Sequence, residues 1–191
     1  MSNVYLSLDI ESDGPIPGLY SMRELGAVAF DYTGRVLDKF SVCLLPLKEA
    51  HENPETIVFW QKFPVVWKRI QDSSIKPIEA IAQFDQWLRK VQMQGKITCI
   101  CWPASFDFPY VAYYLWRFTG ECILGHSCLD IKTMLCDLIG EYHKFLGKRK
   151  LPDSCRVEVK HTHCALDDAL EQGMIFFKLR EAMKDLREGK A

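Results

Sequence analysis

The chain has 191 residues, a hydrophobic fraction of 48% and a formal charge of −1. That is apolar material enough for one full core, and too little positive charge to hold nucleic acid by bulk attraction as a histone does. Eight cysteines, with no secretory leader and no apolar run of membrane-spanning length, predict reduced thiols, no disulfide framework, no membrane contact and a cytoplasmic location. Repeats, low-complexity tracts and Pro/Gly/Ser-rich linkers are lacking, so the expectation is a single domain over 1–191.

The first predicted strand is Val4 to Glu11. Successive strand residues point to opposite faces, so Asp9 and Glu11 project together while Leu8 and Ile10 point into the core. Two adjacent like charges repel, and such a pair is normally tolerated when a cation or a shared proton offsets the repulsion. Ser12-Asp13-Gly14-Pro15 has turn chemistry and ends the strand at its carboxyl end, where α/β sheets tend to bind ligands.

Glu24 to Phe30 reads as a second strand, Asp31-Tyr32-Thr33-Gly34 as a tight turn and Val36 to Leu45 as a third strand. Asn53-Pro54-Glu55 opens a helix that ends before Pro64, with a second short helix after it. From Pro77 to Gln92, apolar residues at Ile78, Ile81, Phe84, Leu88 and Val91 recur every three to four positions, which predicts a helix stopped near Gly95. Ile97 to Trp102 is β-rich, and a helix from about Asp107 to Phe118 with Gly120 as its stop follows. A short strand around Cys128 to Ile131, a helix to about Ile139 and a last helix from about Ala165 to Arg187 complete the order. Between the last two lies the one basic stretch: Lys144, Lys148, Arg149, Lys150, Arg156 and Lys160 against Asp153 and Glu158. It reads either as a solvated loop or as a flap that contacts phosphate.

Three more residues stand where elements begin. Asp107, flanked by Phe106 and Phe108, opens a helix directly after a core-like strand, which is also where a plain capping acid belongs. His163 precedes the last helix and Asp168 lies in its first turns, so a base and a metal ligand can converge above the helix start. A surface histidine and favourable helix-start acids are the plainer reading.

Taken together, Asp-X-Glu at Asp9 and Glu11, Phe-Asp at Asp107 and His-X-Ala-Leu-X-Asp-Ala at His163 to Ala169 resemble the motifs of the DEDDh branch of the 3′-5′ exonucleases. The resemblance implies a ribonuclease H-like α/β fold: a mixed central sheet, made of a strand plus an antiparallel hairpin and then parallel strands, flanked by helices. It implies that Asp9, Glu11, Asp107 and Asp168 hold two divalent cations, Mg²⁺ or Mn²⁺, with Asp9 bridging them, and that His163 is the general base. The expected reaction is hydrolysis of phosphodiester bonds from the 3′ end of single-stranded DNA or RNA, releasing nucleotide monophosphates. The alternative is a noncatalytic nucleic-acid or protein-binding module on the same fold.

The chemistry is coherent, because hard oxygen donors suit Mg²⁺ or Mn²⁺ and two cations can stabilise the charge that builds on phosphate oxygens. Asp167 lies about 100° around the helix from Asp168, and the motif register selects Asp168. Departures fall on the substrate side. Pro103 stands where many family members have asparagine, and Ser12 and Asp13 stand where they have threonines. Ser12, Asp13, Trp60 and Phe106 are the candidate substrate contacts, with Trp60 either stacking on a base or packing in the core. Zinc at Cys99, Cys101, Cys155, His161, His163 and Cys164 does not fit the usual knuckle spacing. Asp130 is expected to be structural, and Glu24 either orients the site or serves a turn.

Overall fold

The computed structural model describes residues 3–143, 146–158 and 162–190. Strands β1 (Asn3–Ser12), β2 (Met22–Phe30) and β3 (Val36–Leu44) come first, followed by helices α1 (Pro54–Trp60) and α2 (Pro64–Ser73). Next are β4 (Ser74–Ile75), α3 (Pro77–Gln92), β5 (Lys96–Cys101) and α4 (Ala104–Thr119). The chain ends with β6 (Cys128–Asp130), α5 (Ile131–Ile139), two short 3₁₀ turns at Lys148–Lys150 and Asp153–Cys155, and α6 (Ala165–Arg187).

The strands form one mixed sheet in the order β4-β3-β2-β1-β5-β6, with β1–β2 and β2–β3 antiparallel and β1–β5 and β5–β6 parallel. This is the expected ribonuclease H-like arrangement. Leu6, Leu8 and Ile10 enter the core on the side covered by α3 and α4, beside Phe84, Leu88, Val111 and Tyr114. On the opposite side, Ile100 packs with Ile131 and Leu135 of α5 and Ile175 and Leu179 of α6. Both faces are therefore covered, and every residue of β2 is buried, as a central strand between two helical layers requires.

Local rules account for most boundaries. Asn53 caps α1 by accepting from the Thr56 N–H at 3.0 Å, and Gly120 ends α4 with φ of 77°, the left-handed stop that glycine permits. Asp31 closes the β2–β3 turn through the Thr33 and Arg35 N–H groups. Three expectations need correction. α4 starts at Ala104, because Asp130 Oδ2 accepts the Ala104 N–H at 2.6 Å and fixes the helix start there. Asp107 therefore lies within the first turn instead of opening the helix. β2 begins at Met22, ahead of the expected start at Glu24. The two-residue β4 was not expected, being too short to show a strand pattern.

Candidate active site

α6 crosses the sheet beside β1 and β2 at two places where a side chain would not fit. A Cβ on Gly26 would stand 2.2 Å from the Ala165 carbonyl group, and one on Gly173 would stand 2.3 Å from the Phe30 ring. These glycines let the start of α6 sit on β2 and its third turn sit on β1. Gly26 is also the ladder partner of Asp9, so the closest approach of α6 falls at the first acid. Gln172 adds a tie by donating to the Leu8 carbonyl at 2.6 Å.

This packing brings the motif residues together. Ligand atoms of Glu11, His163 and Asp168 all lie within 4.8 Å of one another. Asp107 joins from the other side, accepting the Ile10 N–H at 3.2 Å with Oδ1. Pairing between β1 and β5 stops at Ser7 and Ile100, so α4 takes over that edge of β1 where β5 has ended. Asp107 Oδ2 is buried with no hydrogen-bond partner among the described residues, an arrangement that needs a cation or a proton.

The electrostatics agree. Burial, followed by the Asp107, Glu11 and Asp168 carboxylates, pushes the Asp9 carboxyl well above its usual range, and Lys148 opposes this. Burial also raises Glu11, with Asp168, Glu24 and Asp107 adding to it and Arg69 acting against it. Asp107 is raised by burial against the pull of the Ile10 N–H and Lys148. Burial is the largest cause for all three, and for Asp9 and Glu11 the neighbouring carboxylates add to it.

His163 has φ of 52°, the sole positive φ on a non-glycine among the described residues. Its ring lies 4.1 Å from the Phe63 ring and 5.5 Å, edge-on, from Phe59, so the end of α1 and the residue that precedes α2 border it. Asp167 points elsewhere and accepts from Thr162 Oγ1 at 2.7 Å. His161, Lys144 and Lys160 fall outside the described residues.

Of the proposed substrate contacts, Ser12, Trp60 and Phe106 line a cleft of about 250 Å³ with Glu11, Gly14, Pro15, Thr56 and Phe59. Trp60 is only 2% exposed, donates to the Ser12 carbonyl at 2.9 Å and stacks on Trp67. Of its two readings, core packing is therefore the one observed, with one edge at the cleft. Asp13 must be corrected: it is fully buried, accepts the Ser21 N–H and faces Arg23 at 3.8 Å. Those partners hold the strap after β1 from inside, away from the cleft.

Sequence reasoning left Glu24 open and missed Arg69. Glu24 sits opposite Glu11 in the ladder and receives both guanidinium nitrogens of Arg69, at 2.8 and 2.7 Å. The Cys164 thiol donates to it at 3.7 Å, tying the segment that carries His163 to β2. Asp130 has a structural role, capping α5 through the Thr133 N–H at 2.7 Å. Cys99 and Cys101 are buried thiols raised by burial, and the metal-competent cluster found among the described residues contains no cysteine.

No family model matches the chain. A 3′-5′ DNA exonuclease of Escherichia coli, Cap18, is 28% identical over 175 residues, covering 91% of this chain and 89% of that protein. The nuclease domain of 3′hExo, a DEDDh family member bound to rAMP, superposes with a TM-score of 0.60 at 12% identity over 98% of this chain and 94% of that one. S. pombe Pop2p in its Mg²⁺- and Mn²⁺-bound form gives 0.66 at 18% identity, covering 93% and 82%. Product-bound exonuclease I gives 0.63 at 14% identity, where the match covers 96% of this chain but 44% of that longer one. In fold and in motifs the chain is thus similar to the 3′-5′ exonucleases of the DEDDh type. No described helix is long and apolar enough to cross a membrane.

Proposed function

We propose that residues 1–191 form a single exonuclease domain that removes nucleotide monophosphates one at a time from the 3′ end of a single strand, using two Mg²⁺ or Mn²⁺ ions. The observation that carries this reading is the convergence of Glu11, His163 and Asp168 at the end of β1, with Asp9 and Asp107 beside them. Asp9, Glu11, Asp107 and Asp168 would hold the ions. The residues fit such a group: the donors are hard oxygens, burial raises three of the carboxyls and repulsion from neighbouring carboxylates raises two of those further, and one Asp107 oxygen is buried without a hydrogen bond among the described residues. When bound, the ions would offset that repulsion and stabilise charge on the nonbridging oxygens and the leaving 3′ oxygen.

The chain's own residues do the rest. His163 accepts the proton of the attacking water at a ring nitrogen, with its ring confined between Phe59 and Phe63. Water adds to phosphorus and the bond to the 3′ oxygen breaks, that oxygen taking a proton from solvent, which leaves a shortened strand with a free 3′ hydroxyl and a nucleoside 5′-monophosphate. The cleft lined by Ser12, Phe59 and Phe106 seats the terminal nucleotide, its aromatic wall suited to a base face of any sequence. A noncatalytic module would tolerate a gap in the carboxylate set, whereas here all four acids and the histidine are filled.

Matched 5′-labelled single strands of DNA and RNA, and a circular single strand, test polarity and substrate. The reading predicts stepwise shortening from the 3′ end and an intact circle. Internal cuts in the circle at rates comparable with end digestion would contradict it.

A further inference from the structure

The basic stretch before α6 folds into a second cleft, of about 270 Å³, lined by Lys148, Arg149 and Arg156 over a floor of Leu151, Val157 and Ile175, with Glu171 at its inner edge. We propose that this cleft takes the phosphodiester backbone of the bound strand on the 5′ side of the terminal nucleotide, with the phosphates against Lys148, Arg149 and Arg156. The inference rests on the exonuclease reading above and goes beyond it by assigning where the rest of the strand runs.

Three features favour a polyanion over a merely solvated loop. First, the cations are concentrated here on a chain whose formal charge is −1, so this is a local field and not a general one. Secondly, Glu171 and Ile175 of the cleft lining lie on α6, the helix that also carries Asp168. Lys148 pairs with Glu171, which lies one helical turn beyond Asp168, one of the candidate metal-binding acids, on α6. A strand whose 3′ end lies at those acids therefore passes Lys148 as it leaves.

Thirdly, the outer cations are available. Arg149 makes no ion pair among the described residues. Arg156 pairs with Asp153, whose side chain is 93% exposed, a contact too well solvated to compete strongly with phosphate. The planar fork of arginine suits phosphate oxygens. Contacts to a backbone are sequence-independent, which fits an enzyme that must advance one nucleotide per cycle whatever the base.

The test is the salt dependence of binding. The Asp168→Asn protein, in chelator to prevent cutting, is titrated with a labelled single-stranded oligonucleotide over a range of monovalent salt. For single strands each neutralised phosphate contributes a slope of about −0.7 in log K against log salt. Arg149→Ala, Arg156→Ala and Lys148→Ala should each make the slope shallower by about that amount, while Lys90→Ala, an exposed lysine on α3, should not. Unchanged slopes in all three, in a protein whose wild-type form still digests the strand, would overturn the cleft assignment alone. Loss of both binding and digestion by the wild-type protein would overturn the exonuclease reading and this inference with it. Equal slope changes for Lys90→Ala would return the loop to the solvated reading.

Discussion

Glu11 and Glu24 are direct partners across the β1–β2 ladder, two acids on one face of the sheet with different fates. Glu24 is fully buried and neutralised by the Arg69 fork, whereas Glu11 turns towards His163 and Asp168. The protein supplies a cation of its own to one acid and leaves the other to the site. Removing Arg69 strands a buried anion. Arg69→Ala should lower unfolding stability by about 1–3 kcal/mol, less than a fully buried pair because the Arg69 side chain is 40% exposed. Arg69→Ala combined with Glu24→Gln should recover part of that loss. Urea denaturation measures both, and an Arg69→Ala protein as stable as the wild type would show that the Arg69–Glu24 pair adds nothing net to stability.

The raised carboxyls set the pH dependence of the metal-free protein. Asp9, Glu11 and Asp107 hold protons more tightly folded than unfolded. Their favourable contribution is therefore complete below the ordinary carboxylate range and is lost as pH rises through the raised folded values. In chelator, the melting temperature should fall over that rise, and Asp9→Asn should flatten the trend and raise stability at neutral pH. Adding Mg²⁺ or Mn²⁺ should reverse the sign of the effect. A chelated Asp9→Asn protein less stable than wild type at neutral pH would mean that the acids are not in conflict.

Gly26 couples the fold to the chemistry. Its Cβ position lies within 2.3 Å of both Ala165 and Leu166 backbone atoms, which cannot move aside as a flexible side chain can. Gly26→Ala should cost about 1–3 kcal/mol by overpacking and should displace the start of α6, lowering kcat beyond what the loss of folded protein explains. An active-site titration alongside the rate separates the two, and normal kcat per folded molecule would show that α6 is positioned by other contacts.

Most strands and helices were legible because apolar periodicity and cap residues act locally: Asn53, Gly120 and the three-to-four spacing of α3 each mark their own element, whereas the mixed sheet was expected from the resemblance to the DEDDh exonucleases. The four acids and His163 were singled out through the resemblance to the DEDDh motifs, since spacing alone left the plainer readings open. What escaped was set by distant partners. The start of α4 depends on Asp130, far along the chain. The burial of Asp13 depends on Ser21 and Arg23. The roles of Gly26, Gly173 and Arg69 exist only once α6 and α2 lie against the sheet, and no local pattern announces them.

His163→Asn tests the base with little backbone disturbance, since asparagine tolerates the positive φ found at this position. Single-turnover rate should fall roughly 10²–10⁴-fold, while His161→Ala should cost much less. In the wild type, activity should rise with pH as the histidine loses its proton, because only the neutral ring can accept one. Equal rates for His163→Asn and wild type in a chemistry-limited turnover would remove histidine from the mechanism.

The most direct test of the central claim, that the carboxylate cluster works by holding divalent cations at a 3′ end, is a timed digestion of one 5′-labelled single strand. Wild-type and Asp168→Asn proteins are compared in chelator and after restoring Mg²⁺ or Mn²⁺. The account predicts a ladder shortening from the 3′ end only for the wild type with metal, and no ladder from folded Asp168→Asn under either condition. Full turnover in chelator, or an undiminished ladder from Asp168→Asn, would contradict it.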